Sequence, residues 1–128
     1  MNDQSKVKRA LGGMASLLAA FSVAAAPTAD NVAADAAQHA SAVKAVKLAK
    51  SNRCLQCHSM VKRKKEGPSY PTIAARYKGD PDAENKLIYH ITSGENIKRA
   101  NGMEEHHKVI MTKNPEELRN LVKWILNE

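Results

Sequence analysis

The sequence has few of the residues on which several classes of protein depend. Only 2 of its 128 residues are cysteine, which excludes a framework of several disulfides and a four-cysteine zinc site. Its five histidines include no pair at the H-x3-5-H spacing of a zinc finger. Aromatic residues make up 4% of the chain, too few to form a stacking platform for nucleic acid. Nucleic-acid binding and the commonest structural zinc sites are therefore not expected.

Residues 1–25 have the pattern of a secretory signal peptide. Basic residues at 6–9 precede an uncharged, Ala-rich apolar segment over 11–25. Small residues at 23–25 offer a cleavage site before Ala26, and the apolar segment is shorter than the about 20 residues that span a membrane. We therefore predict export to the periplasm without stable membrane insertion after cleavage. An uncleaved membrane anchor is the alternative.

Cleavage at this position leaves a chain that suits one small domain. Residues 26–40 are Ala-rich without a strong period, and we interpret them as a flexible lead-in. Residues 41–128 then form the domain, which we expect to be a monomer. The whole chain carries a net charge of +7, so partners with acidic surfaces are favoured.

The most informative pattern is C-x-x-C-H, formed by Cys54, Cys57 and His58. This is the attachment signature of a c-type haem, in which two thiols add across the two vinyl groups of the porphyrin and the histidine binds iron. A thioredoxin-like redox pair would need a βαβ context, whereas residues 41–52 are rich in Ala and Lys. Half of a zinc site would lack its other ligands, and a disulfide here would close almost no loop. Haem is joined to this motif outside the bacterial cytoplasm, so the predicted export supports the haem interpretation.

Local signals predict four short helices. Ser41 is expected to cap the first, which ends near Asn52, and a second is expected over 71–77. Asp80-Pro81 opens a third helix that Gly94 ends, and Asn114-Pro115 begins the last. The segment 95–113 is expected to be irregular, and no strand pattern is convincing. The sequence thus predicts an all-α domain.

This order of elements resembles a small bacterial monohaem class I c-type cytochrome. The resemblance covers residues 41–128 and rests on the C-x-x-C-H motif, on Gly67-Pro68 and on a last helix that ends in Lys123-Trp124-Ile125-Leu126. It implies an all-α, cytochrome c-like fold wrapped round one covalent haem c, with the first and last helices packed together. It also implies that the Pro68 carbonyl accepts a hydrogen bond from Nδ1–H of His58, which orients the ring and raises its basicity.

The residue that binds the opposite face of the iron is left open. The family commonly uses a methionine followed by proline, and no Met-Pro occurs here. His107 is favoured, because it lies seven residues before Asn114 and imidazole is a strong iron ligand. Met103 and then His106 are the alternatives. Met111 is three residues before Asn114, a span of about 10 Å at most, which makes a chain reversal towards iron difficult.

The predicted function is one-electron transfer between periplasmic or membrane-bound redox proteins, without catalysis, because two axial ligands leave no iron position open. A five-coordinate haem sensor or weak peroxidase is one alternative, and a haem subunit of a larger oxidoreductase complex is another. A basic rim formed by residues 62–65, Lys78 and Lys98 is expected to attract donor and acceptor proteins through acidic docking surfaces, unless it is merely solvated. His39 and His90 are expected not to bind iron.

Overall fold

The computed structural model describes residues 28–63 and 65–128, and the predicted signal peptide therefore lies outside the described residues. In chain order the elements are α1 (Ala29–Ser51), a 3₁₀ turn (Cys54–Gln56), α2 (Tyr70–Tyr77), α3 (Ala83–Ser93), β1 (Asn96–Lys98), β2 (Glu104–His106) and α4 (Pro115–Leu126). Within these ranges, none of the helices has both the length and the apolar character needed to cross a membrane. The all-α prediction is confirmed, with one short β-hairpin added.

Helices α1 and α4 pack against each other and form the centre of the core. Ala45 and Ala49 of α1 are 1% and 0% exposed, and their small side chains let α4 approach closely. Leu121 and Val122 of α4 fill the contact and are 1% and 0% exposed. Full burial of a Leu or Val side chain contributes about 1.5–3 kcal/mol. The expected packing of the first and last helices is therefore present.

Helix α1 begins twelve residues before the cap predicted at Ser41. Residues 29–40 are helical and exposed on all sides, so the interpretation of this stretch as a flexible lead-in was wrong. Six of these twelve residues are alanine, the strongest helix former. Missing periodicity showed only that no face of the helix is buried. Ser41 lies inside α1, where its carbonyl accepts a hydrogen bond from Nδ2 of Asn120 at 2.9 Å.

The other helix ends follow the local signals more closely. Asn114 caps α4, because its Oδ1 accepts the backbone N–H of Glu116 at 3.0 Å. Gly94 ends α3 in the left-handed conformation, with φ of +67°, which glycine adopts without a steric penalty. The start of α3 is displaced: the helix begins at Ala83, after a turn in which Asp80 Oδ1 accepts the Asp82 N–H at 2.9 Å.

Strands β1 and β2 form an antiparallel hairpin where an irregular segment was predicted. Ile97 pairs with Glu105, and Gly102 takes a φ of +86° in the connecting turn. Arg99 clamps the hairpin with two bonds of 2.5 Å to the Glu105 carboxylate. Strands of three mostly polar residues carry no apolar alternation, which is why no strand was predicted here. The hairpin ends immediately before His107.

Candidate functional site

The C-x-x-C-H segment forms a tight turn directly after α1. Arg53 adopts a left-handed conformation with φ of 60°, which redirects the chain out of the helix. The N–H of Cys57 and that of His58 both donate to the Cys54 carbonyl, at 3.2 and 3.0 Å. Both cysteines are half-buried and unpaired, and burial raises the pKa of the Cys54 thiol. The turn therefore presents two thiols and one imidazole along the same side of the fold.

These three side chains line a cavity of about 550 Å³. This volume is in the range of binding sites for small molecules and cofactors. One wall is apolar and consists of core side chains from α2, α3, α4 and the segment before α4: Ile73, Leu87, Ile91, Ile110, Leu121 and Ile125. The cavity could therefore hold a large, mainly apolar group beside the two thiols.

His58 is oriented by a single strong contact. Its Nδ1 lies 2.7 Å from the carbonyl oxygen of Pro68, the contact that the resemblance implies. A carbonyl can only accept, so Nδ1 carries the proton and Nε2 keeps the free lone pair that binds a metal. Burial lowers the pKa of His58, opposed by this hydrogen bond, so the ring is neutral at pH 7. His58 is thus prepared as a nitrogen donor.

Gly67 leaves the space in which the His58 ring lies. A Cβ atom at residue 67 would come within 2.8 Å of Cε1 and 3.1 Å of Nδ1 of His58, closer than real side chains approach. The N–H of Gly67 also donates to the Cys57 carbonyl at 2.9 Å. Gly67 and Pro68 therefore hold the imidazole from two sides, one by steric fit and one by a hydrogen bond.

Tyr70 supports His58 from the core. Its ring stacks on the imidazole with centres 5.5 Å apart and planes 14° apart, and it meets Trp124 of α4 edge-on at 5.1 Å. Only 2% of Tyr70 is exposed. Burial, followed by the nearby Cys54 thiol, raises the pKa of Tyr70, so the hydroxyl stays protonated. The His58 ring is consequently packed against a rigid aromatic surface.

His107 lines the same cavity and approaches His58. The two ring centres are 6.1 Å apart, with planes tilted by 51°. Two imidazole nitrogens on opposite sides of one metal lie about 4 Å apart, which separates their ring centres by about 6 Å. Burial, followed by the nearby His90 and His58, lowers the pKa of His107 from 6.5 to about 4. The spacing and the neutral charge state both suit a pair of iron ligands.

His90, which the sequence analysis expected not to bind iron, is a third imidazole at the cavity. Its ring centre is 4.2 Å from that of His107. Its Nδ1 contacts the Glu95 carboxylate. The signal that could have found it is periodicity: His90 is three residues after buried Leu87 and precedes buried Ile91, so it shares their helix face. Tyr70 was missed as well, and only its position two residues after Pro68 pointed to the site.

The alternative ligands are placed less favourably. Met103 lies in the turn of the hairpin, 58% exposed, and Met111 is 81% exposed; neither lines the cavity. His106 borders the cavity but is exposed, and its Nδ1 donates to the Gly94 carbonyl at 3.0 Å. It precedes His107 in an extended chain, where neighbouring side chains point to opposite sides. Of the four residues, only His107 is directed towards His58.

The donors fit a haem better than a metal ion alone. In the part of the chain that the structure describes, no group of three or more His, Cys, Asp or Glu side chains could hold a metal ion. Two imidazoles at the observed spacing leave room for an iron between them, and a porphyrin would supply the remaining four nitrogen ligands. The paired thiols match its two vinyl groups. Fold and site together define a small all-α protein with one haem-attachment motif, that is, a c-type cytochrome.

The chain belongs to the cytochrome c family: the family model described as Cytochrome c matches residues 42–128. The chain is 32% identical over 83 residues to cytochrome c-551 of Allochromatium vinosum, a match covering 62% of this chain and 80% of that protein. It is 35% identical over 83 residues to cytochrome c2 of Rhodocyclus tenuis, covering 62% and 87%.

Two solved structures share the fold. The class 1 cytochrome MtoD from Sideroxydans lithotrophicus ES-1 is 49% identical with a TM-score of 0.63, and the match covers 66% of this chain and 91% of that one. Cytochrome c552 of Nitrosomonas europaea is 30% identical with a TM-score of 0.52, covering 64% and 96%. The chain is therefore a small class I c-type cytochrome with one covalently attached haem c, and its general function is that of an electron carrier.

Proposed function

We propose that this protein is an exported, periplasmic monohaem cytochrome that carries single electrons between redox proteins with acidic docking surfaces and catalyses no reaction itself. The observation that carries the proposal is the pair of neutral imidazoles, His58 and His107, with ring centres 6.1 Å apart in one cavity. Two such ligands leave iron no open position for a substrate, which favours electron transfer over catalysis.

The haem would be held by residues on both sides of the cavity. The thiols of Cys54 and Cys57 would each form one thioether bond with a vinyl group of the haem. His58, oriented by Pro68 and supported by Tyr70, binds one face of the iron through Nε2. The haem iron supplies the one-electron change of oxidation state, and the apolar wall excludes water from it. The cytochrome domain then corresponds to residues 41–128, with residues 29–40 as a helical extension.

His107 is the proposed ligand on the other face. Its ring is half-buried, its pKa is lowered to about 4, and its Nδ1 has no hydrogen-bond partner among the described residues. A neutral ring with one free lone pair is the form that binds iron. A second imidazole in place of a thioether lowers the reduction potential. We therefore propose a bis-histidine centre of comparatively low potential.

Several basic side chains line the cavity. Arg53, Arg76, Lys98 and Lys108 are among them and could balance the negative haem propionates. Lys62 and Arg63 are exposed and border a smaller groove together with Gly67 and Pro68. Lys78 is exposed and lines neither the cavity nor this groove. Lys64 lies outside the described residues. Such a field attracts acidic partners and speeds association in a salt-dependent way. Electron transfer with an acidic partner should slow as ionic strength rises.

The decisive experiment is the EPR and near-infrared spectrum of the oxidised protein. Low-spin signals without the charge-transfer band of an iron–thioether bond are expected for the His58–His107 pair. An iron–thioether band would contradict the His107 assignment. H107A should lose the native spectrum, whereas M103A, which alters a side chain outside the cavity, should keep it.

Two further measurements separate the carrier from its alternatives. Rapid CO binding to the ferrous protein would favour a five-coordinate sensor or weak peroxidase. Purification of the native protein with a large partner would favour a haem subunit of an oxidoreductase complex. For export, the mature protein from a periplasmic fraction should begin at Ala26, and an intact residue 1 in the membrane fraction would contradict cleavage.

A further inference from the structure

His90, like His107, lines the cavity that contains His58. The rings of His90 and His107 are in contact, with centres 4.2 Å apart and planes tilted by 42°. His90 is also close enough to His58 to contribute to lowering its pKa. An iron within bonding distance of His107 would therefore have a second nitrogen donor one ring away. Only one of the two can occupy the single position opposite His58.

The Glu95 carboxylate favours the form of the His90 ring that can bind a metal through Nε2. A carboxylate at neutral pH can only accept, so the proton of a neutral His90 ring lies on Nδ1, the atom that contacts Glu95. Nε2 then keeps the free lone pair, as in His58. A carboxylate behind a histidine sets the tautomer and raises the basicity of metal-ligating histidines generally. Nothing in the packing of α3 requires an imidazole here, because Leu87 and Ile91 already bury that helix face.

The end of α3 gives His90 room to move. Its side chain is 32% exposed, so its outer edge meets solvent and not the core. It lies four residues before Gly94, the left-handed glycine that ends the helix. His107 itself is held by the hydrogen bond from its backbone N–H to the Glu95 carbonyl, at 2.9 Å. Glu95 thus contacts both histidines. Its carboxylate contacts the His90 ring, and its backbone carbonyl accepts the hydrogen bond from the His107 N–H.

We propose that His90 is a reserve ligand of the haem iron, which binds the position opposite His58 whenever His107 leaves it. The proposal rests on the proposed function, in which His107 is the resident ligand. Exchange of one imidazole for another would keep the iron six-coordinate and low-spin. When His107 dissociates, His90 therefore prevents small molecules such as CO from binding the iron.

The test uses four haem-loaded variants: H107A, H90A, H107A/H90A and the matched control H107A/H106A. His106 is the matched control, because it is a cavity-bordering imidazole with a partner on Nδ1, as His90 is, but it is exposed and precedes His107 in an extended chain. H107A and H107A/H106A should remain low-spin, with an EPR spectrum shifted from that of the native protein. H107A/H90A should become high-spin. CO should bind ferrous H107A at least about ten-fold more weakly than the double variant, because only molecules with an open iron bind it.

Other spectra would contradict either the reserve role of His90 or the assignment of His107 as the resident ligand. High-spin iron in H107A, in a protein whose native spectrum is bis-histidine, overturns the reserve ligand alone. Low-spin iron in H107A/H90A also overturns it, since a third residue must then bind. High-spin iron in H90A would make His90 the resident ligand and contradict both proposals. An iron–thioether band in the native protein contradicts the His107 assignment before any variant is made.

Flash photolysis of the native ferrous protein keeps the proposal testable if H107A fails to retain haem. A light pulse that releases the ligand opposite His58 should be followed by two recombination phases, one for each imidazole. The H90A variant should show one phase only. A single phase in the native protein, or two phases that persist in H90A, overturns the reserve role.

Discussion

Replacing Gly67 with alanine tests how the protein holds the proximal histidine. The added Cβ would lie 2.8 Å from Cε1 and 3.1 Å from Nδ1 of His58. Either the backbone at residue 67 or the His58 ring must shift. The crowded ring atom Nδ1 is the one that makes the 2.7 Å hydrogen bond to the Pro68 carbonyl. We expect G67A to weaken or break this bond while the haem stays attached through Cys54 and Cys57.

The size of the effect follows from the value of one hydrogen bond. A typical hydrogen bond contributes a net stabilisation of about 0.5–1.5 kcal/mol. A ring that no longer donates from Nδ1 is a weaker electron donor, so the ferric state loses more than the ferrous state. Because about 1.4 kcal/mol corresponds to about 59 mV for one electron, the reduction potential of G67A should rise by about 20–60 mV.

The matched control is G79A. Gly79 has a φ of +80°, and a Cβ there would meet nothing within 4 Å, so only backbone strain is introduced. That strain should cost about 1–2 kcal/mol of unfolding free energy, and overpacking in G67A about 1–3 kcal/mol. Spectroelectrochemistry and chemical denaturation measure the two quantities on the same samples. Equal potentials in G67A and the native protein, or an equal rise in both variants, would refute the account of how His58 is held.

Three further predictions concern the core, a helix cap and acid. L121A removes a side chain that is 1% exposed between α1 and α4 and should lower the unfolding free energy by about 2–5 kcal/mol in denaturant titrations; a loss below about 1 kcal/mol would speak against this contact as the core. N114A removes the α4 cap and should cost about 1 kcal/mol in the same assay, whereas N114S should retain most of the stability. Burial lowers the pKa of His107 from 6.5 to about 4, so the neutral, iron-binding form persists as pH falls. The low-spin absorption should thus survive from neutral pH down to about pH 5, and a transition centred at the ordinary histidine pKa would count against His107.

Features set by neighbouring residues could be predicted from the sequence. The spacing of Cys54, Cys57 and His58 is a local motif, and the cap and proline at 114–115 mark the start of α4 where the structure has it. Gly94 ends α3 because only glycine takes a positive φ without strain. These signals act over one turn of chain, so they do not depend on what the rest of the fold does.

Features set by distant residues could not be predicted in the same way. His90 has no local mark of function, and it reaches the cavity only because α3 packs with its Leu87 face inward. The hairpin depends on an ion pair between Arg99 and Glu105 and on backbone pairing, not on an apolar pattern. The start of α1 was missed for a different reason. The helix extends back to Ala29 through the helix propensity of its alanines alone, and no buried face produces an apolar period there.

The β-hairpin before His107 has a consequence for the speed of electron transfer. It joins the end of α3 to His107, and the hydrogen bond from the Ile110 N–H to the Ile91 carbonyl, at 2.9 Å, ties the following chain back to the same helix. A centre whose surroundings already suit both charge states needs little rearrangement when the charge changes. We therefore expect the hairpin to hold the proposed ligand His107 in place during electron transfer and so to keep the reorganisation energy of the haem site low.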